Sequence, residues 1–139
     1  WHEIQPKLSG SERFRPPRVR DIAEAMLEAE ADIRRLMRRS ARAGTIDEFA
    51  TDHFLLRSAT REAVRLAAAL EVDHEGWFVA AQFRDALETA SGGVVGRKVA
   101  IQILEFMDRH GVTIRRGDQR RLNPHRRDLF EPVAEGNSA

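Results

Sequence analysis

The hydrophobic and polar positions of this 139-residue chain predict the same order of elements twice. In the first copy, residues 19–26 have the periodicity of a short amphipathic helix and residues 29–42 that of a longer one. Residues 45–56 contain two short apolar runs on either side of a polar turn, which predicts a β-hairpin. The pair Pro16-Pro17 favours a helix start just after it, and Gly44 favours a left-handed cap at the end of the longer helix.

The second copy carries the same signals in the same order. Residues 80–87 predict the short helix, and residues 97–110 predict the longer one with Gly111 as its cap. Residues 112–123 predict a second hairpin, because Gly117-Asp118 is a turn-forming pair between two strand-like runs. The chain therefore contains an internal structural repeat.

Helix-like sequence also precedes each copy, at residues 1–8 and 58–70. Three helices followed by a β-hairpin in about 60–70 residues is the plan of the winged-helix fold. We therefore predict a mainly α protein with small β-hairpins (α+β), built from two tandem winged-helix domains, residues 1–57 and 58–130. Residues 131–139 are polar and are predicted to form a disordered tail. An all-helical bundle, in which the hairpins are only loops, is the alternative fold.

The segment Glu88–Val95 has no counterpart in the first copy. It contains Gly92-Gly93 and other small residues, so little apolar burial is available to hold it in place. We therefore expect it to be a flexible insert between the two helices of the second copy.

Composition excludes several classes of protein. Hydrophobic residues make up 42% of the chain, which allows a packed core, and the absence of cysteine excludes disulfides and thiolate zinc sites. No apolar run approaches the length of a membrane span. The five histidines are scattered and no phosphate-binding glycine-rich loop occurs, so we predict no catalytic residue, no cofactor and no metal. The bulky aromatic residues, Trp77 among them, are expected to pack in the core and between elements.

The start of the chain gives one further expectation. It begins at Trp1, not at methionine, and shows no signal-peptide pattern. We interpret it as a cytoplasmic fragment of a larger protein.

Charge is distributed unevenly along the chain. The net charge is only +1, but residues 96–127 contain nine basic residues and three acidic ones, a net of +6, so the remainder carries −5. In the first copy, by contrast, five arginines between Arg34 and Arg42 are balanced by nearby carboxylates. The sequence therefore predicts one basic surface, and it lies in the second copy.

The longer helix of the second copy is expected to present a polar stripe opposite its core face, formed by Lys98, Gln102, Glu105 and Arg109. Arg97 and Lys98 stand at the helix N-terminus, where the helix dipole and free N–H groups favour phosphate. The hairpin adds four arginines on both sides of its turn: Arg115, Arg116, Arg120 and Arg121. In a winged helix the hairpin, or wing, lies beside the helix start, so we expect one continuous cationic surface that binds nucleic acid.

Several strings of the chain resemble the C-terminal end of bacterial selenocysteine-specific elongation factors of the SelB type. They are Phe83-Arg84-Asp85, the string GRKVAIQILEFMDR at Gly96–Arg109, and GVTIRRGD at Gly111–Asp118. Phe14–Asp21 resembles the preceding module of the same family, so the resemblance covers most of residues 1–130.

The resemblance implies a function for each copy. In the family, four winged-helix modules follow the GTPase and tRNA-binding part, and this chain is similar to the last two, so residues 58–130 would be the last module. That module would bind the SECIS hairpin, the mRNA structure that recodes UGA as selenocysteine, and would reach the ribosome through the full-length factor. The fragment itself is expected to be monomeric. The residues implied in RNA binding are Gln82, Arg97, Lys98, Arg115, Arg116, Asp118 and Arg120.

One departure from the family concerns the insert. Eleven residues separate Phe83-Arg84-Asp85 from Arg97-Lys98, where the family usually has a much shorter loop. The insert is therefore expected to change which nucleotides the module contacts.

Two other functions are compatible with the residues alone. A DNA-binding transcription regulator would place Lys98, Gln102 and Glu105 in the major groove. A protein-binding tandem winged-helix scaffold would show no salt-sensitive binding to nucleic acid.

Overall fold

A computed structural model describes residues 1–132, and within them both predicted copies of helix, helix and hairpin are present. Residues 133–139, most of the predicted tail, lie outside the described residues. The elements in chain order are two 3₁₀ turns (Gln5–Leu8 and Gly10–Glu12), α1 (Val19–Met26), α2 (Glu30–Arg42), β1 (Ile46–Ala50), β2 (His53–Leu56), α3 (Arg57–Asp73), β3 (Phe78–Val79), α4 (Ala80–Ser91), α5 (Arg97–Arg109), β4 (Thr113–Arg116) and β5 (Gln119–Leu122).

The first copy forms as its periodicity predicts. α1 buries Val19 and Ile22, and the Asp21 carboxylate accepts the Arg18 N–H, which would otherwise be unpaired at the helix start. α2 buries Ile33 and Met37 and ends just before Gly44, whose φ is +82°. β1 and β2 pair antiparallel, as predicted.

The second copy contains one strand that the sequence pattern did not predict. β3 is only Phe78–Val79, and it pairs with β5 so that the sheet order is β3-β5-β4. Two residues are too short to show an alternating pattern, which explains why this strand was missed. The wing is therefore part of a three-stranded sheet that also includes the residues just before α4.

The larger hydrophobic core joins the two copies. It is built mainly from α3, α4, α5 and the β3-β5-β4 sheet, but Phe14, Phe49 and Leu55 from the first part of the chain lie in the same cluster. Phe14 precedes α1 in the sequence, yet its side chain is fully buried in this core. A smaller cluster around Val19, Ile22 and Met37 packs the first copy on its own.

Polar contacts reinforce the junction at the same place. The Arg13 guanidinium donates to both oxygens of Glu62 on α3, at 2.7 and 2.9 Å, and to the carbonyl of Ala90 at the end of α4. In addition, the Asp47 carboxylate on β1 accepts from Arg57 and from the Thr60 hydroxyl on α3. Segment 13–15, which lies just before α1 in the sequence, therefore binds the second copy.

Replacing Phe14 with alanine tests this junction. The substitution opens a cavity in the shared core, so we expect the free energy of unfolding to fall by about 3–5 kcal/mol. Urea denaturation of the whole chain measures the change. Leu27→Ala is the matched control, because Leu27 is 92% exposed and its loss should change stability little. Equal stability of the two variants would contradict a structural role for Phe14.

Candidate nucleic-acid interface

The start of α5 is held in place by a carboxylate from α4. One oxygen of Glu88 accepts the backbone N–H groups of Val95 and Gly96, at 2.9 and 3.0 Å. These two hydrogen bonds favour the ionised form and lower the pKa of Glu88. Gly96, with φ +82°, is the residue before the first turn of α5, and that turn contains no acidic side chain. The α5 N-terminus is therefore well positioned and electropositive.

The Glu88–Val95 segment is packed, contrary to the expectation that little apolar burial holds it. Residues 88–91 extend α4 to Ser91, and Gly92 caps the helix with a left-handed φ of +73°. Gly93 lies so close to the Ser11 backbone that a Cβ at this position would be 2.3 Å from the Ser11 carbonyl oxygen. Val95 is buried in the shared core. The extra residues lengthen α4 and pack against the N-terminal segment. Spacing along the sequence could not predict this contact, because Ser11 is distant in sequence.

Arg97 and Lys98 are both exposed at this helix start, as predicted. They line a shallow groove of about 510 Å³ with Ile101, Gln102 and Glu105. Arg15 reaches the same end of α5, because its guanidinium donates to the Val95 carbonyl at 3.2 Å. The cationic end of α5 thus includes a side chain from the segment that precedes the first copy.

The other end of the predicted polar stripe lies beside the first copy. The Arg109 guanidinium donates to the Phe49 carbonyl on β1, at 3.2 Å. Gln102, Glu105 and Arg109 face the β1–β2 turn across a second small hollow. The C-terminal half of the stripe therefore contacts the first copy, although Glu105 and Arg109 remain exposed.

The pleat of the sheet sorts the wing residues onto two faces. Arg115 pairs with Arg120 and Arg120 pairs with Phe78, so these three side chains share one face. Arg116 pairs with Gln119 on the opposite face. The first face is turned toward the core and the second toward solvent.

The structure corrects the prediction for Arg120. This side chain is 3% exposed and its guanidinium binds the Asp108 carboxylate of α5, with a closest approach of 2.9 Å. The same carboxylate accepts the hydroxyl of Thr113 on β4. Arg120 is therefore occupied inside the protein and is unavailable to a nucleic acid. Its neighbour Arg121 is exposed, because successive side chains of a strand point to opposite faces of the sheet.

Other predicted residues of the wing remain exposed. Arg115 lies at the edge of the core-facing side, where its guanidinium donates to the Gly117 carbonyl of the turn at 2.8 Å. Arg116 and Asp118 are exposed as well. These three residues remain candidates for RNA contact.

Gln82 has a structural contact within the protein. Its side-chain oxygen accepts the Val79 N–H at 2.9 Å, and its amide nitrogen lies 3.3 Å from Nδ1 of His74. It therefore caps the start of α4 while staying partly exposed.

Trp77 is not part of the core, and it packs between elements instead. Its neighbour Phe78 is buried, whereas Trp77 is half-buried on the solvent side of the sheet. The guanidinium carbons of Arg116 and Arg121 lie 5.3 and 5.1 Å from the centre of its ring. Trp77 and Phe78 are both hydrophobic, so the sequence pattern does not distinguish them. Only the pairing of β3 with β5 shows that they lie on opposite faces of the sheet.

Three of the five α2 arginines, Arg34, Arg35 and Arg38, pair with carboxylates, which agrees in part with the compensation that the sequence predicts. Arg34 binds Asp52 through two hydrogen bonds of 2.8 and 2.9 Å, and Arg38 lies within 3.5 Å of both Asp52 and Glu48. The Arg34 contact lowers the pKa of Asp52. This part of the first copy therefore offers little unbalanced charge to a polyanion.

No cluster of potential metal ligands occurs among residues 1–132. In the same part of the chain, no helix combines the length and apolarity needed to cross a membrane.

Comparisons with known proteins agree with this geometry. The family model described as "Elongation factor SelB, winged helix" matches residues 71–122. The chain is 36% identical over 122 residues to the selenocysteine-specific elongation factor of Escherichia coli K12, covering 88% of this chain but 18% of that relative. The chain thus spans less than a fifth of that relative's length. It is also similar to the solved mRNA-binding domain of E. coli SelB in complex with SECIS RNA, with a TM-score of 0.75 and 36% identity, covering 88% of this chain and 93% of that one.

Removing the Glu88 carboxylate tests how the α5 start is positioned. In Glu88→Ala, the Val95 and Gly96 amides lose their acceptor, so we expect their hydrogen exchange to become several-fold faster. Because the pKa of Glu88 is lowered from 4.5, protection in the wild type should be complete above pH 4.5 and lost as the pH falls further. Glu24→Ala, in the exposed part of α1, is the control. Unchanged exchange at Val95 and Gly96 would contradict this assignment.

The neighbouring arginines of β5 provide a matched pair. Arg120→Ala leaves Asp108 partly buried without its cation, so we expect a loss of about 3 kcal/mol in the free energy of unfolding. Arg121→Ala removes an exposed side chain and should change stability by less than about 0.5 kcal/mol. Thermal or urea denaturation distinguishes the two. Similar losses for both variants would show that the sheet does not sort these residues as described.

Proposed function

Because the chain belongs to the SelB family of elongation factors, we propose that it binds an mRNA hairpin of the SECIS type and thereby attaches a selenocysteine-specific elongation factor to its message. The observation that carries the proposal is its similarity to a relative solved with SECIS RNA, of which it covers 93%. The winged-helix RNA-binding region of SelB is a non-catalytic domain, which agrees with this role.

The charge distribution supports the same function. Arg97 and Lys98 at the start of α5, and Arg116 and Arg121 on the wing, form no hydrogen bond or ion pair with a carboxylate among residues 1–132. Phosphates are the natural partners of such exposed cations, and they supply most of the affinity of a nucleic-acid complex. Arg15 adds a further cation at the α5 start.

The surroundings of α5 favour hairpin RNA over duplex DNA. A helix that reads the major groove needs a free face along its length, but Arg109 is bound to β1 and the hollow beside Gln102 and Glu105 is bordered by the β1–β2 turn. The free N-terminal end of α5 and the wing suit an RNA hairpin, whose deep, narrow major groove excludes side chains and whose unpaired bases are read instead.

The two copies would then have different tasks. We assign RNA binding to the second module, residues 58–130, and a supporting role to the first, residues 1–57, in which three of the five α2 arginines pair with carboxylates. The GTPase would lie in a part of the protein outside this sequence, and the ribosome would be reached through that full-length factor in the cytoplasm. We expect the fragment itself to be monomeric.

Binding measurements with the SECIS RNA of the E. coli relative test this function. We expect the chain to bind this hairpin more tightly than duplex DNA of the same length, and the hairpin to displace the DNA in competition. Equal or tighter binding to the DNA would favour a transcription regulator, and salt-insensitive or absent binding to both would favour a protein-binding scaffold.

Lys98→Ala tests the phosphate contact at the α5 start. We expect weaker binding to every RNA sequence and a decrease of about 0.7–0.9 in the slope of log affinity against log salt, because one phosphate contact is lost. Affinities measured at three salt concentrations give the slope. Arg39→Ala is the charge-matched control, since Arg39 is exposed on α2, away from this surface. If Lys98→Ala keeps the wild-type slope, the α5 start is not a phosphate site.

A further inference from the structure

The solvent side of the β3-β5-β4 sheet carries a tryptophan beside its arginines, and phosphate binding alone does not explain an aromatic residue there. We call this surface the sheet platform; its members are Trp77, Ile114, Arg116, Gln119 and Arg121. Arg116 pairs with Gln119 and Ile114 with Arg121, so each pair lies on the same side. Trp77 directly precedes β3, and alternation places it opposite the buried Phe78 and next to Arg121.

The platform presents an aromatic ring together with positive charge. The guanidinium carbons of Arg116 and Arg121 lie 5.3 and 5.1 Å from the ring centre of Trp77, and neither arginine forms an ion pair within residues 1–132. Strands β3, β4 and β5 contain no acidic residue. Phe78 is buried, whereas Trp77 keeps part of its surface in solvent and can be reached by a ligand.

We propose that the sheet platform binds one unpaired base of the RNA hairpin, stacked on the Trp77 ring and flanked by Arg116 and Arg121. This inference rests on the proposed function and adds a specificity element to it. An exposed indole stacks readily on a nucleobase, and each such contact contributes substantially to the binding of single-stranded nucleotides. The two guanidiniums pair with the phosphates on either side of the stacked nucleotide, or stack on its outer face.

In the free protein the guanidiniums of Arg116 and Arg121 lie over the Trp77 ring. A flat base replaces one guanidinium on the ring, and the displaced guanidinium then extends toward a phosphate. Because every base has a flat face, the platform selects the position of an extruded nucleotide more strongly than its identity.

The experiment uses tryptophan fluorescence and a double-mutant cycle. The chain has two tryptophans, so Trp1→Phe leaves Trp77 as the only indole. This variant is titrated with the SECIS RNA of the E. coli relative, and with versions in which each unpaired nucleotide is replaced in turn by an abasic one. We expect quenching with the intact hairpin and a marked loss of quenching with one of the abasic versions.

Affinity measurements then identify the role of the ring. Trp77→Ala should weaken hairpin binding by about 5- to 100-fold, and Trp77→Phe, which keeps an aromatic face, should recover much of the loss. The abasic replacement that abolishes quenching should cost Trp77→Ala almost nothing, because both changes remove the same contact. Trp1→Ala is the matched control and should bind as the wild type does.

Three results would overturn the inference. Wild-type affinity of Trp77→Ala for the hairpin would do so while leaving the proposed function intact. An equal loss on the hairpin and on fully paired RNA would also do so, since Trp77 would then only position Arg116 and Arg121. Absence of hairpin binding by the wild-type chain would overturn the proposed function, and this inference with it.

Discussion

The Asp108 carboxylate on α5 holds both strands of the wing against the helix. It accepts the Thr113 hydroxyl from β4 and the Arg120 guanidinium from β5, and so links both strands of the wing to α5. A second carboxylate, that of Glu71 on α3, accepts the Leu122 N–H at the end of β5. With Arg120 fixed inside, the pleat directs Arg121 and Arg116 outward onto Trp77. Both the free cations and the aromatic ring of the proposed RNA surface depend on this buried pair.

Two separate constraints thus position the proposed RNA-binding surface. The wing is fixed from within by Asp108, and the start of α5 is fixed from α4 by Glu88. The first copy is joined to the far end of α5 by the Arg109–Phe49 hydrogen bond. The exposed cations are therefore presented by rigid elements, which reduces the conformational entropy that a complex must lose.

Periodicity and turn chemistry were sufficient to predict α1 to α5, the hairpins and the repeat, because each depends on local spacing, whereas the helix-like segment at residues 1–8 forms only a 3₁₀ turn, Gln5–Leu8. Which of Arg120 and Arg121 faces Asp108 was not predictable, since only the pairing of β5 decides between two adjacent arginines. The position of Trp77 on the solvent side of the sheet depends on the same pairing. The Glu88–Val95 segment was misread because its partner, Ser11, is distant in sequence. Long-range pairing and packing therefore account for every correction at the candidate interface.

The path of segment 13–15 has a consequence for how such modules can be inherited. Phe14 belongs to the core of the second copy although it precedes the first copy in the chain, and Arg13 binds helices on both sides of that core. Exchanging the second module alone, with a border near residue 57, would remove an aromatic side chain from the core that it fills. A recombination event that keeps both copies together preserves this packing. The two modules are thus expected to be inherited together as one unit.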